Sequence, residues 1–322
     1  MKTRSKITAA AALTLSAAVA AMLFAAGPFL CRYVLCPQWH GQDTGYTLDR
    51  MSTMYEGLGD WYRGLLDCGA VRDTVISGEG GNDIHAVYFA APDSAPAAGT
   101  ALLIHGYTCN HRNMLHLARM YREELGYNVF MPDLQHHGLS GGDAIQMGWL
   151  DRLDVLRWID VAGDVFGDDF MVINGISMGG ATTMMLSGEP LPPYVRALVE
   201  DCGYTDVWSE LEYRLKVEFH LPAWPLLHLA DRYCRRHYGW GFREASSLDQ
   251  LSKSTVPVLF IHGDGDDYVP TAHVHDCYAA KTSGYKELWL APGTAHSDSY
   301  RNHPDEYRDR VAAFIGKIKS NN

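Results

Sequence analysis

The chain has 322 residues, of which 47% are hydrophobic and 20% charged, as in ordinary globular proteins with one large domain or two small ones. Its formal net charge is -11, and the first thirty residues contain three basic side chains and no acidic ones, so the remainder is more acidic still. This charge argues against nucleic acid and anionic lipid surfaces as partners of the main domain.

The N-terminal segment has the pattern of a membrane anchor or a secretory signal. Residues 7–30 carry no charge, and a helix of that length reaches about 36 Å, enough to cross a bilayer. Because basic residues precede this run, the rest of the chain is predicted to lie outside the cytoplasm. The length of the run favours an uncleaved single-pass anchor in the cell membrane, with a cleaved signal and secretion as the alternative. We therefore assign residues 1–37 to this segment and residues 38–322 to one domain.

The seven cysteines do not predict a metal or redox site. Their number is odd, and the sequence contains no C-x-x-C pair. A location outside the cytoplasm would permit disulfides, but the sequence does not assign the pairs.

Beyond about residue 38, the sequence pattern alternates between short apolar strands and helices. The predicted strands are residues 83–90, 100–106, 127–133, 170–176, 195–203, 257–263 and 286–293. The predicted helices include residues 116–126, 150–163 and 304–318. This alternation predicts an α/β fold with a mostly parallel central sheet and helices on both faces. In such sheets the ligand site lies at the carboxyl ends of the strands.

The alternation stops after residue 203. Residues 204–250 have a helical pattern, are interrupted by Pro222 and Pro225, and are rich in aromatic residues and leucine. The strands on either side are expected to end at the edge of the sheet that holds the site. We therefore predict a helical cap insertion over the site at about residues 204–250, with extra helices on the flank of the sheet as the alternative.

The stretch "NGISMGG" follows the apolar run "FMVI". Gly175, Ser177 and Gly179 fit the pattern G-x-S-x-G, in which a sharp turn between a strand and a helix exposes a nucleophilic serine. The residues two positions before and two positions after the serine must be small because larger side chains would collide across the turn. A serine nucleophile also needs a base, an acid that orients the base, and donors for the oxyanion.

Five segments supply such parts in chain order: "LLIHGY", "MPDLQHHGLSGG", "GISMGG", "HGDGDDYVP" and "GTAHS". Together they resemble the α/β-hydrolase superfamily over about residues 80 to 320. The most similar branch comprises bacterial serine hydrolases related to lysophospholipases and serine aminopeptidases, some of which are membrane-anchored. The resemblance implies the α/β-hydrolase fold with Ser177 as the nucleophile.

The resemblance also implies the acid of the site. In the family the acid lies in H-G-x-x-D-x-x-V-P, which corresponds to Asp266 in this chain. Its neighbours Asp264 and Asp267 remain alternatives. Asp201 ends an earlier strand, and some family members take the acid from that position.

The base implied by the resemblance is His296, which follows the last predicted strand. The oxyanion hole is implied to consist of the backbone N–H groups of Tyr107 and Met178. The loop "DLQHHGLSGG" is expected to support the site structurally through Asp133 and His137. The mechanism implied by these residues needs no metal and no organic cofactor.

The sequence thus predicts a serine hydrolase that transfers an acyl group to water. The aromatic and leucine-rich cap favours a carboxylic ester with an apolar acyl or aryl group as the small-molecule substrate. A peptidase similar to serine aminopeptidases and a lysophospholipase or thioesterase are alternatives. A membrane-tethered binding protein without catalytic activity is an alternative of another class, because fold does not imply activity. The sequence identifies no protein partner.

Overall fold

One eight-stranded sheet forms the centre of the computed structural model, which describes residues 2–37 and 47–320. The strands are β1 Arg72–Ser77, β2 Asp83–Phe89, β3 Thr100–Ile104, β4 Asn128–Pro132, β5 Met171–Ile176, β6 Val195–Asp201, β7 Val258–Gly263 and β8 Lys286–Ala291. Their order in the sheet is β1-β2-β4-β3-β5-β6-β7-β8. The β2 strand is antiparallel to both of its neighbours, whereas every pair from β4 to β8 is parallel.

The helices account for much of the remaining described chain. They are α1 Lys2–Leu35, α2 Leu48–Met54, α3 Leu58–Asp67, α4 Leu115–Arg119, α5 Asp151–Phe166, α6 Met178–Leu186, α7 Val207–Phe219, α8 Leu226–His237, α9 Ser247–Leu251, α10 Ala272–Ala280, α11 Ser299–Asn302 and α12 Pro304–Ser320. The predicted α/β fold with a mostly parallel sheet is confirmed. The two longest helices of the predicted cap are α7 and α8.

Two hydrophobic cores lie on opposite faces of the sheet, as the alternation of side chains along a strand requires. In β3, Leu102 and Ile104 belong to one core, and Ala101 and Leu103 belong to the other. All four side chains are fully buried. A continuous apolar run such as "ALLI" therefore indicates a strand that is covered on both faces.

The segment predicted as one helix at residues 116–126 differs from the prediction. The α4 helix ends at Arg119, and Met120–Glu124 continues as a wider π-helical turn. Gly126 then adopts a φ of 74°, in the left-handed region that glycine tolerates. The apolar pattern marks the buried face of this segment but does not distinguish the two hydrogen-bond registers.

The C-terminal part of α1 packs against the domain. Cys31 and Leu35 are fully buried, and the Leu35 carbonyl accepts a hydrogen bond from the Ile145 N–H at 2.8 Å. A Cβ atom at Gly27 would lie 2.7 Å from the Leu229 carbonyl oxygen of α8, so this glycine allows the two helices to approach closely.

Counting only the helical residues whose side chains the structure describes, no helix is long and apolar enough to cross a membrane. The boundary predicted after residue 37 adjoins residues 38–46, which lie outside the described residues. The anchor, that boundary and the location of the protein stay predictions.

The buried sheet predicts a large difference between two leucine truncations. Leu103→Ala should lower the free energy of unfolding by about 3 kcal/mol, because Leu103 is fully buried in β3 and its removal leaves a cavity. Leu66→Ala removes the same atoms from a residue of α3 that is 47% exposed and should change stability by no more than about 0.5 kcal/mol. Urea unfolding monitored by tryptophan fluorescence measures both. Equal losses would contradict the described core.

Candidate active site

Ser177 lies in the turn between β5 and α6 with φ 59° and ψ -118°, a strained conformation for a residue with a side chain. A Cβ atom on Gly175 would lie 2.0 Å from the Gly179 carbonyl oxygen, and one on Gly179 would lie 2.1 Å from the Ile104 carbonyl oxygen. Backbone atoms cannot move aside as a flexible side chain can. Both flanking positions therefore require glycine, which explains the spacing in "GISMG".

The imidazole of His296 connects Ser177 to Asp266. Its Nε2 lies 2.8 Å from the Ser177 Oγ, and its Nδ1 lies 2.7 Å from the Asp266 Oδ2. An ionised carboxylate only accepts hydrogen bonds, so the Nδ1–H donates to Asp266. Nε2 is then free to accept the hydrogen bond that the serine hydroxyl donates. The structure thus brings the three predicted side chains together in the order that a serine nucleophile needs.

Asp266 is held by the loop that follows β7. Its Oδ1 accepts hydrogen bonds from the N–H groups of Tyr268 and Val269 at 2.9 and 3.0 Å, and its Oδ2 lies 3.3 Å from the His262 Nε2. Burial acts to raise the pKa of Asp266, but the hydrogen bonds from His262 and His296 outweigh it and hold the pKa well below its usual range. Asp266 is therefore charged at neutral pH.

The three alternative acids have other positions and partners. Asp201 accepts a hydrogen bond from the Ser299 hydroxyl at 3.0 Å, and burial raises its pKa to about 7. Asp264 accepts a hydrogen bond from the Gly293 N–H at 2.7 Å. The Asp267 side chain is exposed to solvent. The geometry thus favours Asp266 as the partner of His296.

The two predicted oxyanion donors border the same cavity as Ser177. Met178 is the first residue of α6, so its N–H has no acceptor one turn earlier in the helix. Tyr107 lies in the loop after β3, and the next residue, Thr108, donates its N–H to the His137 Nε2 at 3.1 Å. His137 thereby supports the loop that carries Tyr107. The oxyanion role of the two amides stays a prediction.

Two groups of side chains have the atom types that bind metal ions: His85 with His111 and Asp133, and Cys202 with Asp266 and His296. In the first group, Asp133 lies 3.0 Å from a ring nitrogen of each histidine. Two residues of the second group, Asp266 and His296, belong to the catalytic triad that they form with Ser177. Hydrogen bonds between carboxylates and imidazoles account for the close approach of the acids and histidines in both groups.

A cavity of about 500 Å³ begins at Ser177 and has a largely apolar lining. Leu211 and Leu215 of α7 and Leu227 of α8 contribute to it. Helices from the predicted cap insertion therefore form part of its wall.

The end of α1 forms another part of the cavity wall, through Tyr33, Val34 and Leu30. The Tyr107 hydroxyl donates a hydrogen bond to the Val34 carbonyl at 2.6 Å, and the Tyr33 ring packs edge-on against Phe219 with centroids 5.7 Å apart. These three residues were not predicted as part of the site because they lie in the N-terminal segment assigned to residues 1–37. The sequence of the N-terminal segment does not show whether its C-terminal end packs against the domain.

The contacts of Asp266 predict the outcome of two substitutions. Asp266→Asn keeps the size but removes the charge and favours the wrong imidazole tautomer, so kcat for ester hydrolysis should fall by up to about 10⁴-fold. Asp267→Asn, the same change in the same loop, should leave kcat within about threefold of wild type. Steady-state kinetics on purified, folded variants measures both effects. Loss of turnover in Asp201→Asn with nearly normal turnover in Asp266→Asn would move the acid to the earlier strand.

Comparison with known proteins identifies a family match and a similar bacterial protein. The model of the prolyl oligopeptidase family matches residues 146–320, just over half of the chain. The uncharacterized protein YqkD of Bacillus subtilis is 32% identical over 245 residues, which cover 76% of this chain and 79% of YqkD.

Solved structures with the same fold include an esterase and the protein Est1E. The Pyrococcus furiosus esterase Pf2001 superposes with a TM-score of 0.61 at 20% identity, over 79% of this chain and 95% of the esterase. Est1E of Butyrivibrio proteoclasticus, solved with bound ferulic acid, superposes with a TM-score of 0.58 at 18% identity, over 77% of this chain and 99% of Est1E. At these identities the likeness concerns the fold. The α/β-hydrolase fold is confirmed, whereas the lysophospholipase and aminopeptidase branch stays a prediction. On the family match, which spans more than half of its length, the chain belongs to the prolyl oligopeptidase family of α/β hydrolases.

Proposed function

We propose that the protein is a serine hydrolase that cleaves carboxylic esters through an acyl-enzyme on Ser177. The observation that carries this proposal is the hydrogen-bonded chain from Asp266 through His296 to Ser177, which ends at a largely apolar cavity. The role of each residue follows from its position in that chain.

In acylation, the Ser177 Oγ attacks the ester carbonyl carbon while the His296 Nε2 takes the hydroxyl proton. The carbonyl electron pair moves onto oxygen, where the N–H groups of Tyr107 and Met178 are proposed to stabilise the negative charge. When this intermediate collapses, the bond to the alcohol oxygen breaks and His296 gives its proton to the departing alcohol. Asp266 orients the imidazole and stabilises its positive charge.

Deacylation repeats these steps with water in place of the serine. His296 removes a proton from water, the resulting hydroxide attacks the acyl carbon, and the Ser177 oxygen leaves and recovers a proton from His296. The products are the carboxylic acid and the free enzyme. Every proton transfer uses Nε2. The hydrogen bond from Nδ1 to Asp266 keeps Nε2 directed at Ser177 throughout the reaction.

The lining of the cavity supports an apolar acyl or aryl group as the part of the substrate that is bound. Aliphatic side chains from α1, α7 and α8 surround the space next to Ser177, and burial of such a group against them is favourable. The proposed partner is thus a small-molecule ester. A nucleic acid is not proposed because the chain carries a net charge of -11.

A peptidase is the second candidate, and the observation that favours it is the match to the prolyl oligopeptidase family. A lysophospholipase or thioesterase would use the same triad on another ester class. A panel of p-nitrophenyl esters of graded acyl length, run beside aminoacyl anilides, distinguishes these activities. Anilide turnover above ester turnover would favour the peptidase.

Ser177→Ala should lower kcat for p-nitrophenyl ester hydrolysis by about 10⁴-fold or more with the fold intact, because it removes the nucleophile. A fluorophosphonate probe should label the wild type but not this variant. Ser252→Ala, an exposed serine outside the cavity lining, is the matched control and should keep wild-type turnover and labelling. If folded Ser177→Ala kept near wild-type turnover, Ser177 would not be the nucleophile and the proposed mechanism would be wrong.

The location is a separate proposal: α1 holds the protein at the cell membrane with the catalytic domain outside the cytoplasm. It is supported by the uncharged run of residues 7–30, the basic residues before it, and the exposed Met22 and Phe24 side chains. The full-length protein should fractionate with membranes and be digested by protease added to spheroplasts. Full-length protein protected from that protease would contradict the orientation, and a shortened soluble form in the medium would indicate a cleaved signal.

A further inference from the structure

Glu210 is a buried acid in the wall of the proposed substrate cavity. It lies on α7, borders the same cavity as Ser177 and is only 4% exposed. Both of its carboxyl oxygens are buried, and neither has a hydrogen-bond partner within residues 2–37 and 47–320. Buried polar groups are normally paired, so this carboxyl group requires an explanation.

The polar side chains around Glu210 have partners of their own. The Tyr204 hydroxyl donates to the Met147 carbonyl at 2.9 Å. Arg214 forms an ion pair with Glu218, and its guanidinium lies over the Tyr268 ring, 3.8 Å from the ring centroid. Glu210 therefore lies in the cavity wall with hydrogen-bonding capacity that its protein neighbours do not use.

The protonation state of Glu210 decides which group it would bind. Burial raises the pKa of Glu210 to about 8, although the positive charge of Arg214 acts in the opposite direction. The carboxyl group is therefore mainly neutral at pH 7. A neutral carboxyl has one O–H donor and also acceptor oxygens, which complements a group that both accepts and donates.

We propose that Glu210 is a specificity residue that hydrogen-bonds to a hydroxyl group on the acyl part of the ester. This inference rests on the proposed ester hydrolase activity. A hydroxyl both accepts and donates, whereas an ammonium group only donates and would require the buried acid to ionise. The acyl part is the appropriate partner because it stays bound to Ser177 in the intermediate, while the alcohol leaves after the first step. The substrate class is thus a hydroxylated, otherwise apolar acyl ester.

Matched substrates test this proposal directly. The probes are p-nitrophenyl esters of para-hydroxyphenyl and para-methylphenyl alkanoic acids, compared as acetic, propanoic and butanoic acid derivatives. Hydroxyl and methyl groups have similar size, so the ratio of kcat/KM within a pair reports the hydrogen bond. For at least one chain length the wild type should favour the hydroxyl ester by about tenfold or more, because its methyl analogue leaves the carboxyl unpaired.

Variants at Glu210 assign the preference to this side chain. Glu210→Met keeps the side-chain length but removes both hydrogen-bonding groups, so the ratio should fall to about one or below. Glu210→Gln keeps a donor and an acceptor and should retain most of the preference. Glu212→Met, an exposed position on the same helix, is the matched control and should keep the wild-type ratio. Circular dichroism of each variant verifies folding.

The outcomes separate this inference from the proposed function. Hydrolysis of both esters without preference at any chain length overturns the role of Glu210 and leaves the hydrolase intact. A preference that survives in folded Glu210→Met also overturns it, and a stronger preference for the para-aminomethyl analogue indicates a cationic substrate instead. If Glu210→Met does not fold, Glu210→Leu takes its place, because it also removes both hydrogen-bonding groups and should likewise lower the ratio to about one or below. Absence of hydrolysis and of fluorophosphonate labelling in the wild type would instead contradict the proposed function.

Discussion

The main chain at Ser177 has φ 59° and ψ -118°, and such a conformation costs on the order of 1–3 kcal/mol for a residue with a side chain. The surrounding backbone holds the residue there. The Ser177 N–H donates to the Asp201 carbonyl at 2.7 Å, and the Ser177 carbonyl accepts from the Ala181 N–H at 2.9 Å. These two bonds connect the turn to β6 and to α6. Close contacts at Gly175 and Gly179 leave no room for a larger residue. The rest of the site depends on this turn because it presents the hydroxyl at the edge of the sheet.

Parallel strands bring the other two residues to the same edge. The loop after β7 carries Asp266, and the loop after β8 carries His296, so residues distant in sequence lie within hydrogen-bond distance. The end of α1 and the helix α7 then enclose the space next to the serine. Because Val34 accepts a hydrogen bond from Tyr107, the N-terminal segment is connected to the loop that carries a proposed oxyanion donor. A change at the end of α1 is therefore expected to affect the shape of the substrate cavity.

Much of the fold and of the candidate site was predictable from sequence, because both depend on local patterns. Continuous apolar runs identified the buried strands, and the glycines around Ser177 identified the turn. The edge strand β1 was missed because "RDTVIS" is short and largely solvent-accessible, with a weak apolar signal. The sequence alone left Asp264, Asp266 and Asp267 as neighbouring candidates, since the direction of a carboxylate in a loop depends on tertiary contacts. Glu210 was missed for a related reason: a helix with as many polar residues as α7 does not show which of its acids is buried.

The proposed mechanism requires an acyl group to bond to Ser177 during turnover. The most direct measurement is mass spectrometry of protein mixed with a p-nitrophenyl ester and quenched in acid before deacylation, followed by proteolysis to locate the modified residue. We expect a mass increase of one acyl group on the peptide that contains Ser177, and this increase should disappear when the ester is exhausted. Turnover without any acylated peptide, or an acyl group confined to a residue other than Ser177, would contradict the proposed mechanism.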